Sequence, residues 1–222
     1  LKEQAQLILN KALKNIDWLK SPRAVAFAII GLYFINKNKP DEQTVNSLKN
    51  FADHLCELYQ NQAMAEWQWF EPYLTYSNSK LSEALYYAYL ATKNKKYLSL
   101  AETSLNFLMS IYFTNGSFTP IGQNGWYYKK GKRAYFDQQP EDAGSMVETL
   151  VVAYQATKKE LYKTKAHRAF KWFLGHNDLQ QMMYNEITGG CRDGLGKNSL
   201  NLNEGAESTI AYLLARLTLE KL

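Results

Sequence analysis

AYLATKNKKYLSLAETSLNFL, residues 88–108, returns further along the chain as AYQATKKELYKTKAHRAFKWF, residues 153–173. Ala88, Tyr89, Ala91, Thr92, Lys93, Tyr97, Ala101 and Phe107-Leu108 align with Ala153, Tyr154, Ala156, Thr157, Lys158, Tyr162, Ala166 and Trp172-Phe173. Each copy reads as the end of one helix, a short turn at Thr-Lys and a second helix. A lone helical hairpin cannot bury both of its faces, so repeated hairpins stack into a solenoid or close into a ring. The 3.6-residue apolar period continues on either side of the repeat and predicts helices over 2–19, 23–36, 40–62, 81–92, 97–113, 141–157, 161–175 and 205–222. Pro22 and Pro40 sit at or beside predicted helix starts, where proline is tolerated. The connections at 93–96 and 158–161 are short, whereas those at 63–80, 114–140 and 176–204 are long. Short and long alternate, so the long loops should all emerge at one end of an all-α ring.

Composition narrows the field. The 222 residues are expected to form one domain, 1–222, and 46% hydrophobic with 21% charged residues predicts a soluble globular chain. Sixteen tyrosines and five tryptophans exceed what a core needs, since both favour half-wet surfaces. The net charge of +5 comes from scattered lysines, and the one dense basic run, 129–133, is short, which argues against nucleic acid. No apolar run reaches the roughly 18–20 residues of a membrane span, and the longest, 24–35, reads as a buried helix. Cys56 and Cys191 lie far apart, which predicts two free thiols in a reducing, cytoplasmic compartment and no cysteine metal site. The chain opens in mid-helix without Met, so a longer parent chain is expected. His54, His167 and His176 fall in helices or at a helix end. No His-Glu-x-x-His, serine elbow or phosphate loop is present, so neither a metal nor another cofactor is expected.

The three long loops carry the chemistry. The first, EWQWFEPYLTYSNSK (66–80), surrounds Glu71 with Trp67, Trp69, Phe70, Tyr73 and Tyr76, and Asn78 follows. Burial among aromatic rings disfavours an ionised carboxylate, the condition for a general acid; the competing reading has the aromatics plugging the ring. The central loop, NGSFTPIGQNGWYYKKGKRAYFDQQPE (115–141), is too apolar for a solvated tail. Its glycines let it fold back and deliver Asp137, Gln138, Gln139 and Glu141 to the next helix. Successive amides suit hydroxyl groups, whereas Glu141 and Asp142 equally suit the dipole of a helix start. The third loop, NEITGGCRDGLGKNSLNLNE (185–204), leads into a helix and brings Asp193, Asn203, Glu204 and Glu207, the last two spaced to share a helix face or to cap it.

Together, WQWFEPYLTYSNSKLSEAL, NGSFTPIGQNGWYYKKGKRAYFDQQPEDAGSM and TGGCRDGL with NLNEGAESTIAYLLA resemble a bacterial (α/α)-toroid domain of the six-hairpin glycosidase-like kind, over about residues 66–220. Such domains are often attached to, or encoded beside, a glycosyltransferase. The resemblance implies that Glu71, Tyr73, Asn78, Trp126, Asp137, Gln138, Gln139, Glu141, Asp193, Asn203, Glu204 and Glu207 line one mouth of the toroid. Eight helices would leave such a ring incomplete. The expected ligand is a sugar or oligosaccharide, with Trp69, Trp126 and Tyr128 stacking on it. Glu71 and Asp137 are expected as the acid/base pair of a glycoside hydrolase-like enzyme, with Glu204 or Glu207 in reserve. Sugar epimerisation, a non-catalytic glycan-binding accessory role beside a glycosyltransferase, and a helical scaffold for protein partners remain alternatives.

Overall fold

The computed structural model describes residues 2–114 and 116–222. Helices account for most of the chain: α1 (Lys2–Leu13), α2 (Pro22–Asn38), α3 (Glu42–Gln62), α4 (Ser79–Thr92), α5 (Lys95–Tyr112), α6 (Pro140–Thr157), α7 (Glu160–Phe170) and α8 (Ala206–Leu219). Short ribbon strands occur only in the loops: β1 (Tyr73–Leu74), β2 (Phe113–Thr114), β3 (Ser117–Phe118), β4 (Tyr127–Tyr128), β5 (Gly194–Leu195) and β6 (Leu200–Asn201). In an inner row, α2, α4, α6 and α8 each pack on the next, while α3, α5 and α7 pair outside them as hairpin partners of α2, α4 and α6. This is the all-α arrangement of an (α/α) toroid, and the helix-flanking loops gather at the N-terminal ends of the inner row.

The repeated sequence is a helix stop used twice. Lys93 and Lys158 both take the left-handed conformation, at φ 58° and 60°, and their N–H groups donate to the carbonyls of Tyr89 and Tyr154. Thr92 and Thr157 close the last turn by donating from Oγ1 to the carbonyls of Ala88 and Ala153, each at 2.7 Å. After the turn, Tyr97 and Tyr162 are buried, and the fully buried Ala101 and Ala166 let the outer helices approach closely.

Three predicted helices end early, the last of them, α8, at Leu219 rather than 222. The first stops at Leu13 because Asn15 leaves the helical region at φ −122°, ψ 15°, and a 3₁₀ turn (Ile16–Trp18) follows. The seventh stops at Phe170, and tight turns over 171–174 seat Trp172 and Phe173 in the core with no exposed surface. The ends of the inner row keep apolar surface open: Phe27 and Phe34 on α2, and Ile210, Leu213, Leu214 and Leu217 on α8, are exposed. Among the described residues, no helix is long and apolar enough to cross a membrane. Cys56 and Cys191 are both free and buried, and burial pushes their thiols up to about 11 and about 12.

Candidate functional site

The three loops are stitched to one another by backbone. Tyr73 of the first loop pairs antiparallel with Tyr128 of the central loop across β1–β4. Gln138 exchanges both backbone hydrogen bonds, at 2.9 Å, with Leu195 of the third loop. The central loop doubles back on itself: Gly122 N–H donates to the carbonyl of Ala134, Gln123 N–H to that of Asp137 and Asn124 N–H to that of Phe136. Gly122 permits this, because a Cβ there would lie 2.2 Å from the backbone N and O of Phe136. Gly122→Ala is therefore expected to destabilise the fold by about 3 kcal/mol, the upper range for overpacking, since backbone cannot rotate aside. A urea midpoint within error of wild type would refute this.

Where the central and third loops meet, a cavity of about 520 Å³ opens above the starts of α6 and α8, and no described residue of the first loop lines it. Its walls carry Asp137, Gln139 and Gln123 from the central loop, Asp193, Ser199 and Asn201 from the third, and Glu207 and Ser208 from the first turn of α8. Among the described residues, the side chains of Asp137 and Glu207 have neither a hydrogen-bond partner nor an ion-pair partner. The other predicted carboxylates are engaged. Asp193 accepts from Asn203 Nδ2 and from the Gly205 N–H at 2.8 Å. Desolvation, the largest single influence, pushes it up, but hydrogen bonds from Ser208, Asn203 and Gly205 together hold it below the usual aspartate value. Glu204 precedes α8 rather than sharing its face with Glu207. It accepts from Thr188 Oγ1 and Asn185 Nδ2, which keep it below the usual glutamate value.

Several expected mouth residues are buried or bonded within the protein, away from the cavity wall. Trp69 is fully buried against Phe70 and Phe107, so neither ring face can meet a sugar. Glu71 is buried and ion-paired with Arg23 at 2.8 Å, and it lies outside the cavity wall. Arg23 also donates to Asn78 Oδ1, Thr75 Oγ1 and the Tyr76 carbonyl. Asn78 is buried, its amide donating to the Thr75 carbonyl and Tyr112 Oη. Gln138 is fully buried, accepting from Trp172 Nε1 at 2.8 Å and donating to Asp178 and the Tyr135 carbonyl. Neither Asn78 nor Gln138 has an amide group free for a ligand. Gln139 does face the cavity, tied to Gln123 at 2.9 Å. Tyr128 is exposed against Tyr73, and Trp126 leans on the exposed Tyr76 6.4 Å away; these rings lie on the same loops but outside the cavity wall. Glu71 beside it, more than burial, pushes the Tyr73 hydroxyl up.

Beneath the cavity, Glu141 and Asp142 open α6 and both accept from the Ser77 N–H, at 3.2 and 3.1 Å. Burial, and then Glu141, pushes Asp142 well above the usual aspartate value; burial likewise raises Glu141, with Glu207 adding to it. Asp142 Oδ2 has no hydrogen-bond partner. Glu207 also faces a second cavity of about 330 Å³ with Glu141, Lys80 and Glu148. Lys80 is held up by Glu83 and Glu148 despite burial, which alone would push it down. Because the folded state favours protonated Asp142, its stabilising contribution is complete at low pH and is lost as pH rises above the unfolded value near 4. Asp142→Asn, which keeps the acceptor for Ser77, is expected to raise Tm at pH 7 by roughly 2–4 °C. It should also flatten the pH dependence of stability between pH 4 and 7; an unchanged Tm at pH 7 would contradict it.

Gln123, Ser199, Asn201, Ser208 and Arg23 escaped the sequence reading. The first three sit among the glycines and amides of the loops, with nothing to single them out. Arg23, at a helix start, carries no local signal of a partner 48 residues further on.

An (α/α) toroid with a carboxylate-lined mouth is the class of protein that this fold and cavity define. Neither a protein-family model nor a curated protein sequence matches the chain. Solved structures do share the fold. A glycoside hydrolase family 76 mannosidase from Bacteroides thetaiotaomicron matches with a TM-score of 0.67 and 15% identity, over 91% of this chain and 55% of that one. A D-mannose isomerase gives 0.67 and 14%, over 90% and 54%. An unsaturated glucuronyl hydrolase specific for heparin gives 0.57 and 17%, over 74% and 48%. The chain thus spans about half the length of each structure. The likeness is one of glycosidase-like toroid fold.

Proposed function

We propose that this chain is a carbohydrate-active, glycoside hydrolase-like domain that takes a sugar in the 520 Å³ mouth cavity, with Asp137 and Glu207 as its acid/base pair. The observation that carries the reading is that these two carboxylates face the same cavity with no protein partner among the described residues, amid amide and hydroxyl groups suited to sugar hydroxyls. Glycosidic cleavage needs one carboxyl to protonate the leaving oxygen and a second to act as base or nucleophile. Glu71, neutralised by Arg23 away from the cavity wall, is reassigned to the scaffold. Gln123, Gln139, Asn201 and Ser208 orient the sugar, and Tyr128, Tyr76 and Trp126 extend the surface beyond the cavity. The likeness to a mannosidase and a mannose isomerase supports sugar chemistry of this general kind. The sequence resemblance adds an attached or co-encoded glycosyltransferase as the expected partner, and the two free thiols fit a cytoplasmic location.

The test is incubation of the wild type and of the Asp137→Asn/Glu207→Gln double variant with an oligosaccharide panel, with products read by chromatography and proton NMR. Cleavage lost in the variant supports the hydrolase. An isomerised sugar would move the same pair to proton transfer. Binding without any product would make this a glycan-holding accessory domain, and silence throughout would overturn the sugar reading.

A further inference from the structure

The cavity wall is one-signed. Asp137, Asp193 and Glu207 line it, whereas no lysine, arginine or histidine among the described residues does. Cations are not scarce, because the chain carries 26 Lys and Arg against 21 Asp and Glu. Two basic residues adjoin wall residues along the chain, and neither lies on the wall: Lys197, after Gly196, is exposed, and Arg192, before Asp193, donates to the Met182 carbonyl at 2.7 Å. The remaining polar groups, Gln123, Gln139, Asn201, Ser199 and Ser208, are neutral. The fold does not decide what charge a sugar may carry, since both a D-mannose isomerase and an unsaturated glucuronyl hydrolase share it. The wall does.

Resting on the reading of this cavity as a sugar site, we propose that it selects sugars bearing no negative charge and rejects uronates through Asp137, Asp193 and Glu207. A uronate carboxylate brought into the cavity would meet ionised Asp193 and whichever of Asp137 and Glu207 serves as the base, with no cation on the wall among the described residues to offset them, and unpaired like charge is an effective way to exclude a competitor. Asp193 stays ionised throughout the neutral range, because hydrogen bonds from Ser208, Asn203 and Gly205 stabilise its charged form. A neutral hexose loses nothing by the same contacts, since carboxylates accept from its hydroxyls.

The experiment is calorimetric titration with matched pairs: neutral oligosaccharides, mannose-based ones among them, and the same compounds oxidised at C6 to uronates, at low and at moderate salt. The neutral member should bind at least tenfold tighter, with the gap narrowing as salt screens the repulsion. Ser199→Lys, which adds a cation at the wall without touching the proposed catalytic pair, should bring the gap below about threefold, while Lys197→Ala should leave it unchanged. A uronate that binds the wild type as well as its neutral partner overturns the proposal, as does a uronate affinity that depends on Lys197. Failure of both members of every pair overturns the sugar site itself, and is distinguished from lost selectivity by the absence of any binding.

Discussion

Arg23→Met is expected to destabilise the protein by about 3–5 kcal/mol, the usual result of leaving a buried carboxylate without its cation. Arg23 and Glu71 are nearly sealed from solvent, with side-chain exposures of 11% and 6%, so water cannot substitute for the lost partner. The same guanidinium also serves Thr75, the Tyr76 carbonyl and Asn78, which fixes the first loop onto the start of α2. Glu71→Gln should cost less, because an amide still accepts a hydrogen bond from the guanidinium. In the Arg23→Met/Glu71→Met pair most of the loss should return, since replacing a buried ion pair by apolar side chains is often near neutral. The four proteins form a double-mutant cycle, and chemical denaturation should give a coupling energy of at least about 1.5 kcal/mol. Additive losses would mean that the pair holds nothing together. The cycle also bears on the role of Glu71: as a scaffold residue, its variants should lose activity only as far as they lose folded protein.

The hairpin layout was legible in the sequence because its signals are local. The Thr-Lys helix stop occurs twice with the same spacing, and long loops alternate with short turns, which together place every long loop at one end. The location of the mouth was legible for the same reason. Which loop residues face it was not, because Asn78, Gln138 and Gln139 are alike by type and differ only in their tertiary partners. Gln138 is consumed by Trp172 and Asp178, residues 34 and 40 positions away, while its neighbour Gln139 faces the cavity. Glu71 among aromatic rings read as a desolvated acid; what the local pattern omitted was Arg23, 48 residues earlier. Burial of Trp69 was hidden in the same way, since an aromatic run does not reveal which rings turn inward. Helix ends were the weakest part, and the turns at 171–174 exist to seat Trp172 and Phe173, a demand made by the core rather than by local propensity.

Asp137→Asn and Glu207→Gln should each lower kcat by roughly 1,000-fold while leaving stability within about 0.5 kcal/mol of wild type. The size follows from general acid–base catalysis, which contributes roughly 100- to 10,000-fold. The unchanged stability follows from the absence of any protein partner for either carboxylate among the described residues, because surface changes away from buried networks are usually within that margin. KM should move little, since both replacements keep the shape of the side chain and its accepting oxygen. The double variant should be scarcely worse than the poorer single one, as residues that act on one step are strongly non-additive. Asp193→Asn offers the contrast. Asp193 anchors Asn203, the Gly205 N–H and Ser208, so its loss should reduce stability and activity together. Activity within threefold of wild type in either Asp137→Asn or Glu207→Gln would remove that residue from the chemistry. A fall in activity matched by an equal fall in urea midpoint would assign it to the scaffold, the role proposed for Glu71.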